Sequence, residues 1–84
     1  MTKKTAFREL REIICARQGD LEIEEVQMKS NLRYDLGLDS LDIISVVVEV
    51  EKTFEISIKD DDVMTFVTVE DFVKVIEQTC NAKN

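Results

Sequence analysis

Ser40 lies in the segment Asp35-Leu36-Gly37-Leu38-Asp39-Ser40-Leu41-Asp42, a hydroxyl with one acid before it and another two residues on. A serine hydroxyl is a weak nucleophile unless a base stands beside it. The chain contains no histidine, which excludes a Ser-His-Asp triad and a Cys-His pair. Nothing nearby in the sequence can activate the hydroxyl. Gly37 permits a backbone turn that a side chain would hinder, which leaves Ser40 at the exposed start of a helix where a modifying enzyme can reach it. Cys15 and Cys80 stand 65 positions apart, so neither a CxxC pair nor a Cys/His zinc set can be assembled. Both are read as free thiols serving as small apolar residues. The acidic run Asp60 to Asp62 has neither the central glycine nor the terminal glutamate of an EF-hand.

The elements that must position Ser40 are helical. Phe7, Leu10, Ile13 and Ile14 recur at spacings of three and four, which predicts a first helix over residues 3–18, capped by Thr5 or Thr2 and followed by Gly19. Residues 20–39 lack sustained periodicity, although Leu21, Ile23, Val26, Met28, Leu32, Leu36 and Leu38 are apolar. A bare loop of that length does not suit so small a domain, so the segment is expected to lie on the helices, with a helical turn near Glu22 to Met28. A second helix is predicted over 40–54, with Asp39 as N-cap, Asp42 at the positive dipole end and Lys52 near the last turn. Residues 53–58 alternate like a strand but have no strand to pair with, and are read as an extended link. A short helix at 60–65 and a last helix at 68–80 follow, the latter opened by Thr68-Val69-Glu70-Asp71 with capping-box spacing and buried through Val69, Phe72, Val73, Ile76 and Cys80. The expected fold class is all-α: a small antiparallel four-helix bundle of three longer helices and one short one, in a single domain over 1–84.

On the second helix, Ile43, Val46, Val47, Val50 and Phe54 share one side, the pattern of a core stripe. Leu41, Ile44 and Val48 fall on the opposite side as an apolar ridge, flanked by Asp42 and Glu49 on one edge and by Glu51 and Glu55 on the other. Such a ridge suits docking. Asp42 and Glu49 lie off the buried stripe, so reversing either charge is expected to leave stability nearly unchanged.

Length and composition exclude several classes of function. The 84 residues bound one modest core, too small for a self-contained enzyme of the usual size. With 44% apolar and 35% charged residues the chain is globular, and no apolar run approaches the roughly 20 residues that span a bilayer. Net charge is −7, and residues 34–84 carry four basic against twelve acidic groups. That field repels nucleic acid and anionic lipid and steers partners rich in Arg and Lys. Met1-Thr2-Lys3-Lys4 leads into alternating charge, unlike a secretory signal, so a cytoplasmic monomer without membrane insertion is expected.

The octet from Asp35 to Asp42 resembles the D-L-G-x-D-S-L-[DE] signature of acyl carrier proteins, and the likeness extends over about residues 25–77, weakening in the first helix. The resemblance implies that Ser40 carries 4′-phosphopantetheine, taken from coenzyme A. A phosphopantetheinyl transferase would supply base and metal while Ser40 attacks the β-phosphate; Ser40 is then an acceptor and no residue of the chain is catalytic. The arm ends in a thiol that holds acyl groups as thioesters and presents them to loading, condensing and modifying enzymes with basic docking surfaces. For partner recognition the resemblance and the helical wheel together point to Asp39, Leu41, Asp42, Ile44, Val48 and Glu49. Ser45 and Lys52 stand where many fatty-acid carriers place acids, Glu49 where a small apolar residue is frequent, and Lys59 where proline is usual. These changes redraw the docking surface and leave the attachment site alone, so the carrier function follows and the pathway, fatty-acid or polyketide-type, does not. The alternatives are an aminoacyl or peptidyl carrier of a specialised pathway, and an adaptor module with no modified serine.

Overall fold

The computed structural model describes residues 5–83. Four α-helices follow one another: α1 (Ala6–Arg17), α2 (Ser40–Phe54), α3 (Asp60–Val63) and α4 (Val69–Lys83), with a 3-10 turn at Ile23–Glu25 before α2. The chain is an all-α four-helix bundle in which α1 packs against both α2 and α4. Thr5 caps α1, its hydroxyl accepting from the Arg8 amide at 3.1 Å. The alternative cap Thr2 and the predicted start at Lys3 lie outside the described residues. At the other end α1 stops at Arg17, one residue short of the expected boundary, because Gln18 leaves helical geometry. The short helix α3 likewise ends at Val63, with Met64 as its cap, and α4 continues past residue 80.

Leu10, Ile14, Val46, Val50, Phe72 and Ile76 fill the centre of the bundle. Phe54, placed by periodicity on the core stripe, is only half-buried at the end of α2, as is Cys80 on α4. Phe66 and Phe72 stack with ring centroids 4.5 Å apart, joining the chain before α4 to the helix itself.

The segment without periodicity lies on the helices, as its apolar content requires. Val26, Leu32, Leu36 and Leu38 are buried. Buried backbone groups need partners, and here they find them far along the chain: the Leu32 amide donates to the Val67 carbonyl at 2.9 Å, and the Val69 amide to the Ser30 carbonyl at 3.0 Å. These bonds flank an isolated antiparallel bridge between Asn31 and Thr68, which ties the loop to the start of α4. Ser30 is buried; its hydroxyl accepts from the Gln27 amide and donates to the Glu25 carbonyl. Of the strand-like stretch 53–58, Thr53 and Phe54 belong to α2, and only the residues after Glu55 form the link to α3. Glu55 adopts left-handed geometry (φ 56°) as the helix cap, and the Ile58 amide then donates to the Glu51 carboxylate at 2.8 Å. Glu51 is therefore turned toward the link, which removes it from the flank of the ridge where the helical wheel had placed it.

Candidate attachment and docking site

The turn that delivers Ser40 is built from side-chain bonds to the backbone. Asn31 Oδ1 accepts from the Arg33 and Tyr34 amides at 2.9 and 2.8 Å, and Asp35 Oδ2 accepts from the Asn31 amide at 2.7 Å. Gly37 follows with φ 72°, a conformation that costs an L-residue roughly 1–2 kcal/mol. Gln18 at the end of α1 reaches across, its Nε2 donating to the Leu36 and Gly37 carbonyls at 3.2 and 3.0 Å. The turn before Ser40 is thus pinned to α1 by a residue 18 positions away.

α2 then begins with a reciprocal cap. The Asp42 amide donates to Asp39 Oδ1 at 2.8 Å and the Asp39 amide to Asp42 Oδ2 at 3.2 Å. Periodicity had assigned Asp39 the cap and Asp42 a dipole role; the structure gives the two carboxylates a joint one. Asp42 also accepts from Arg17 Nε at 3.0 Å. Its pKa is held below the usual carboxylate value, first by the Asp39 amide and then by the Arg17 guanidinium. Asp42 is half-buried, and with these partners a reversal of its charge is expected to cost stability, unlike the expectation from the helical wheel alone.

Ser40, the first residue of α2, is exposed. Its Oγ accepts from Arg33 Nη2 at 3.1 Å. A guanidinium stays protonated throughout the accessible pH range and cannot serve as a base, so the hydroxyl has an orienting neighbour and no activating one. Ser40 and Arg33 line a cleft of about 150 Å³ whose walls include Ile43, Val63 and Phe66.

The apolar ridge of α2 is uncovered. Leu41, Ile44 and Val48 are 72%, 52% and 41% exposed, whereas Ile43, Val46, Val47 and Val50 are buried. Asp39 and Glu49 are exposed beside the ridge. Ile44, Val48 and Glu49 also line a groove of about 550 Å³ whose far wall is α1, through Ile13, Ala16 and Arg17. Periodicity on α2 alone could not reveal that wall, because the contact joins two helices. Arg33 and Gln18 were also missed, since neither belongs to a periodic stripe or to the octet.

The profile of the phosphopantetheine attachment site family matches residues 8–76 of this sequence. The chain belongs to the acyl carrier protein family. The acyl carrier protein of Phytoplasma australiense is 42% identical over 65 residues, covering 77% of this chain and 86% of that protein. That of Coprothermobacter proteolyticus is 35% identical over 83 residues, covering 99% and 100%. The crystal structure of an acyl carrier protein from Thermotoga maritima superposes with a TM-score of 0.80 at 24% identity, over 90% of this chain and 87% of that one, and shares the fold. This member of the carrier family bears a phosphopantetheine-binding domain. Its geometry fits that group: an exposed hydroxyl at the opening of a helix, a cation beside it and a cleft alongside. Among the described residues, no helix is long and apolar enough to cross a membrane, and no three His, Cys, Asp or Glu side chains gather as a metal site.

Proposed function

We propose that Ser40 is the residue that carries the 4′-phosphopantetheine arm, and that the chain works as one carrier domain presenting acyl thioesters on it. The observation that carries this reading is the Ser40 hydroxyl, exposed on the first turn of α2 and inside the Asp35–Asp42 octet. Ser30, by contrast, is buried and hydrogen-bonded through its hydroxyl. In the transfer the Ser40 oxygen bonds to the β-phosphorus of coenzyme A, the pyrophosphate bond breaks, and the nucleotide half leaves. The proton passes to a base of the transferase, because Arg33 cannot accept it. Phosphopantetheine supplies the thiol on which acyl groups ride; the chain's own part is to expose the oxygen, fix the turn before it through Gly37 and Gln18, and offer a docking face.

That face is the ridge of Leu41, Ile44 and Val48 with Glu49 and Asp39 beside it, and Asp42 at its base. Its apolar exposure and the net charge of −7 support partners that combine an apolar contact with Arg or Lys, namely the transferase and the enzymes that load and process the acyl group. Compartment follows from the same reading: a monomeric cytoplasmic carrier, supported by two cysteines that stand as free thiols.

Incubation with coenzyme A, magnesium and a broad-specificity phosphopantetheinyl transferase should add one phosphopantetheine increment to the intact mass, located on the peptide containing Ser40. Ser40→Ala should abolish it with an unchanged helical spectrum. An increment that persists in Ser40→Ala on another serine overturns the assignment.

A further inference from the structure

We propose that Arg33 holds the phosphate of the arm and so sets the direction in which the arm leaves the protein; this rests on the reading of Ser40 as the attachment residue. Arg33 Nη2 lies 3.1 Å from Ser40 Oγ, the atom that becomes an ester oxygen of the phosphodiester. The phosphorus then sits one covalent bond beyond that oxygen, so its two non-bridging oxygens, which share a single negative charge, come within reach of the same guanidinium. A planar guanidinium matches a phosphate edge with two parallel donors and is protonated at every relevant pH.

Four further features favour Arg33 for this task. Its backbone is fixed, the amide donating to Asn31 Oδ1 and the carbonyl accepting from the Gly37 amide at 3.1 Å, so the side chain projects from a rigid stem. The ion pairs among the described residues engage Arg8, Arg17 and Lys74, and none engages Arg33. Of the two acids flanking Ser40, Asp42 is paired with Arg17, and the Asp39 carboxylate, which keeps its charge, is directed to the Asp42 amide. Arg33 also shares the cleft with Ser40. A phosphate fixed between them sends the remainder of the arm along the apolar wall of Ile43, Val63 and Phe66.

The test loads the full chain with coenzyme A whose thiol already bears a nitroxide, so that Cys15 and Cys80 play no part, and compares wild type, Arg33→Ala and Arg33→Lys. Mass spectrometry first establishes the increment on Ser40 in each. The readouts are the phosphorus-31 chemical shift of the diester, taken on protein loaded with unlabelled coenzyme A, and nitroxide broadening of the Val63 and Phe66 amide resonances. Arg33→Ala should move the phosphorus resonance and lose the broadening, with Arg33→Lys intermediate because it keeps the charge without the fork. Raising the salt should shift the wild-type phosphorus resonance toward that of Arg33→Ala and leave Arg33→Ala unmoved. Identical phosphorus shifts and identical broadening in wild type and Arg33→Ala overturn the role of Arg33 while the mass increment leaves the Ser40 reading standing. Absence of the increment in wild type overturns both.

Discussion

Arg17, in the last turn of α1, holds Asp42, in the first turn of α2, with Nε 3.0 Å from Oδ1. The pair crosses 25 residues of sequence and closes the end of the bundle where Ser40 emerges. Because Asp42 also completes the cap of α2 with Asp39, one carboxylate serves helix initiation and helix docking together. Charge reversal at Asp42 is therefore expected to lower the thermal unfolding midpoint, and by clearly more than reversal at the exposed Glu49. Arg17→Ala should lower it less, since the cap remains, and the double variant Arg17→Ala/Asp42→Ala should lose less than the sum of the singles. Equal midpoints for the Asp42 and Glu49 reversals would sink this account.

Two adjacent valines on α2 separate packing from docking. Val47 is 7% exposed and Val48 is 41% exposed. Removing two methyls from a packed site costs the transfer free energy and leaves a cavity, so Val47→Ala should lose about 1–3 kcal/mol in denaturant unfolding. Val48→Ala should lose less than about 0.5 kcal/mol, while weakening the association with a loading enzyme. Equal losses of stability would mean that both faces of α2 are core.

Glu49 supplies the electrostatic test of the docking face. Its charge stands beside the exposed ridge and takes no part in the cap of α2. Glu49→Lys should slow phosphopantetheine transfer or acyl loading at low ionic strength, and the difference from wild type should shrink near 1 M salt, where the Debye length is about 3 Å. Rates that match wild type at low salt would reduce Glu49 to a solvated charge.

Asp71 links stability to pH. Its Oδ2 accepts from the Val67 and Thr68 amides, both at 3.0 Å, while the Asp71 amide donates to the Thr68 hydroxyl. The Thr68 and Val67 amides hold its pKa below the usual carboxylate value. With the folded pKa depressed, the contribution is complete above the unfolded value of about 3.9 and fades as pH falls through the folded one. Asp71→Asn should flatten that acid limb of a stability-against-pH curve, and Asp71→Ala should cost about 1 kcal/mol at pH 7 through the lost cap. An acid limb unchanged in Asp71→Asn would assign the loss to other carboxylates.

Gly37 tests how strictly the attachment turn is specified. At φ 72° a Cβ would meet only Gln18 Nε2, at 3.5 Å, an ordinary contact, so the cost of Gly37→Ala is backbone strain of about 1–2 kcal/mol. The variant should fold, show that loss on urea unfolding, and still accept phosphopantetheine. A loss no larger than experimental error would mean that the turn relaxes without the left-handed residue.

What could be read from the residues alone was whatever depends on neighbours within a turn or two. The spacing of Phe7, Leu10 and Ile14, the division of α2 into buried and exposed valines, a threonine cap on α1 and the Thr68-to-Asp71 capping box all follow from the 3.6-residue repeat and from amides left unpaired at helix starts, although the choice of Thr5 over Thr2 did not. The position of Ser40 at the opening of α2 followed likewise from Gly37 and Asp39. Tertiary structure decided which polar groups meet. Gln18 reaches Leu36 and Gly37, Arg17 reaches Asp42, and Leu32 bonds to Val67, none of which leaves a periodic trace, because each joins segments distant in sequence that are brought together around one common core. Arg33 shows the same limit at short range: it lies only seven positions before Ser40, but the chain between them turns through a left-handed glycine. No helical or strand repeat predicts where a side chain on one side of that turn will lie relative to a hydroxyl on the other. Hydrophobic burial, which is non-directional, brings the segments together; directional hydrogen bonds then choose among the arrangements that burial allows, and those choices exist only in three dimensions.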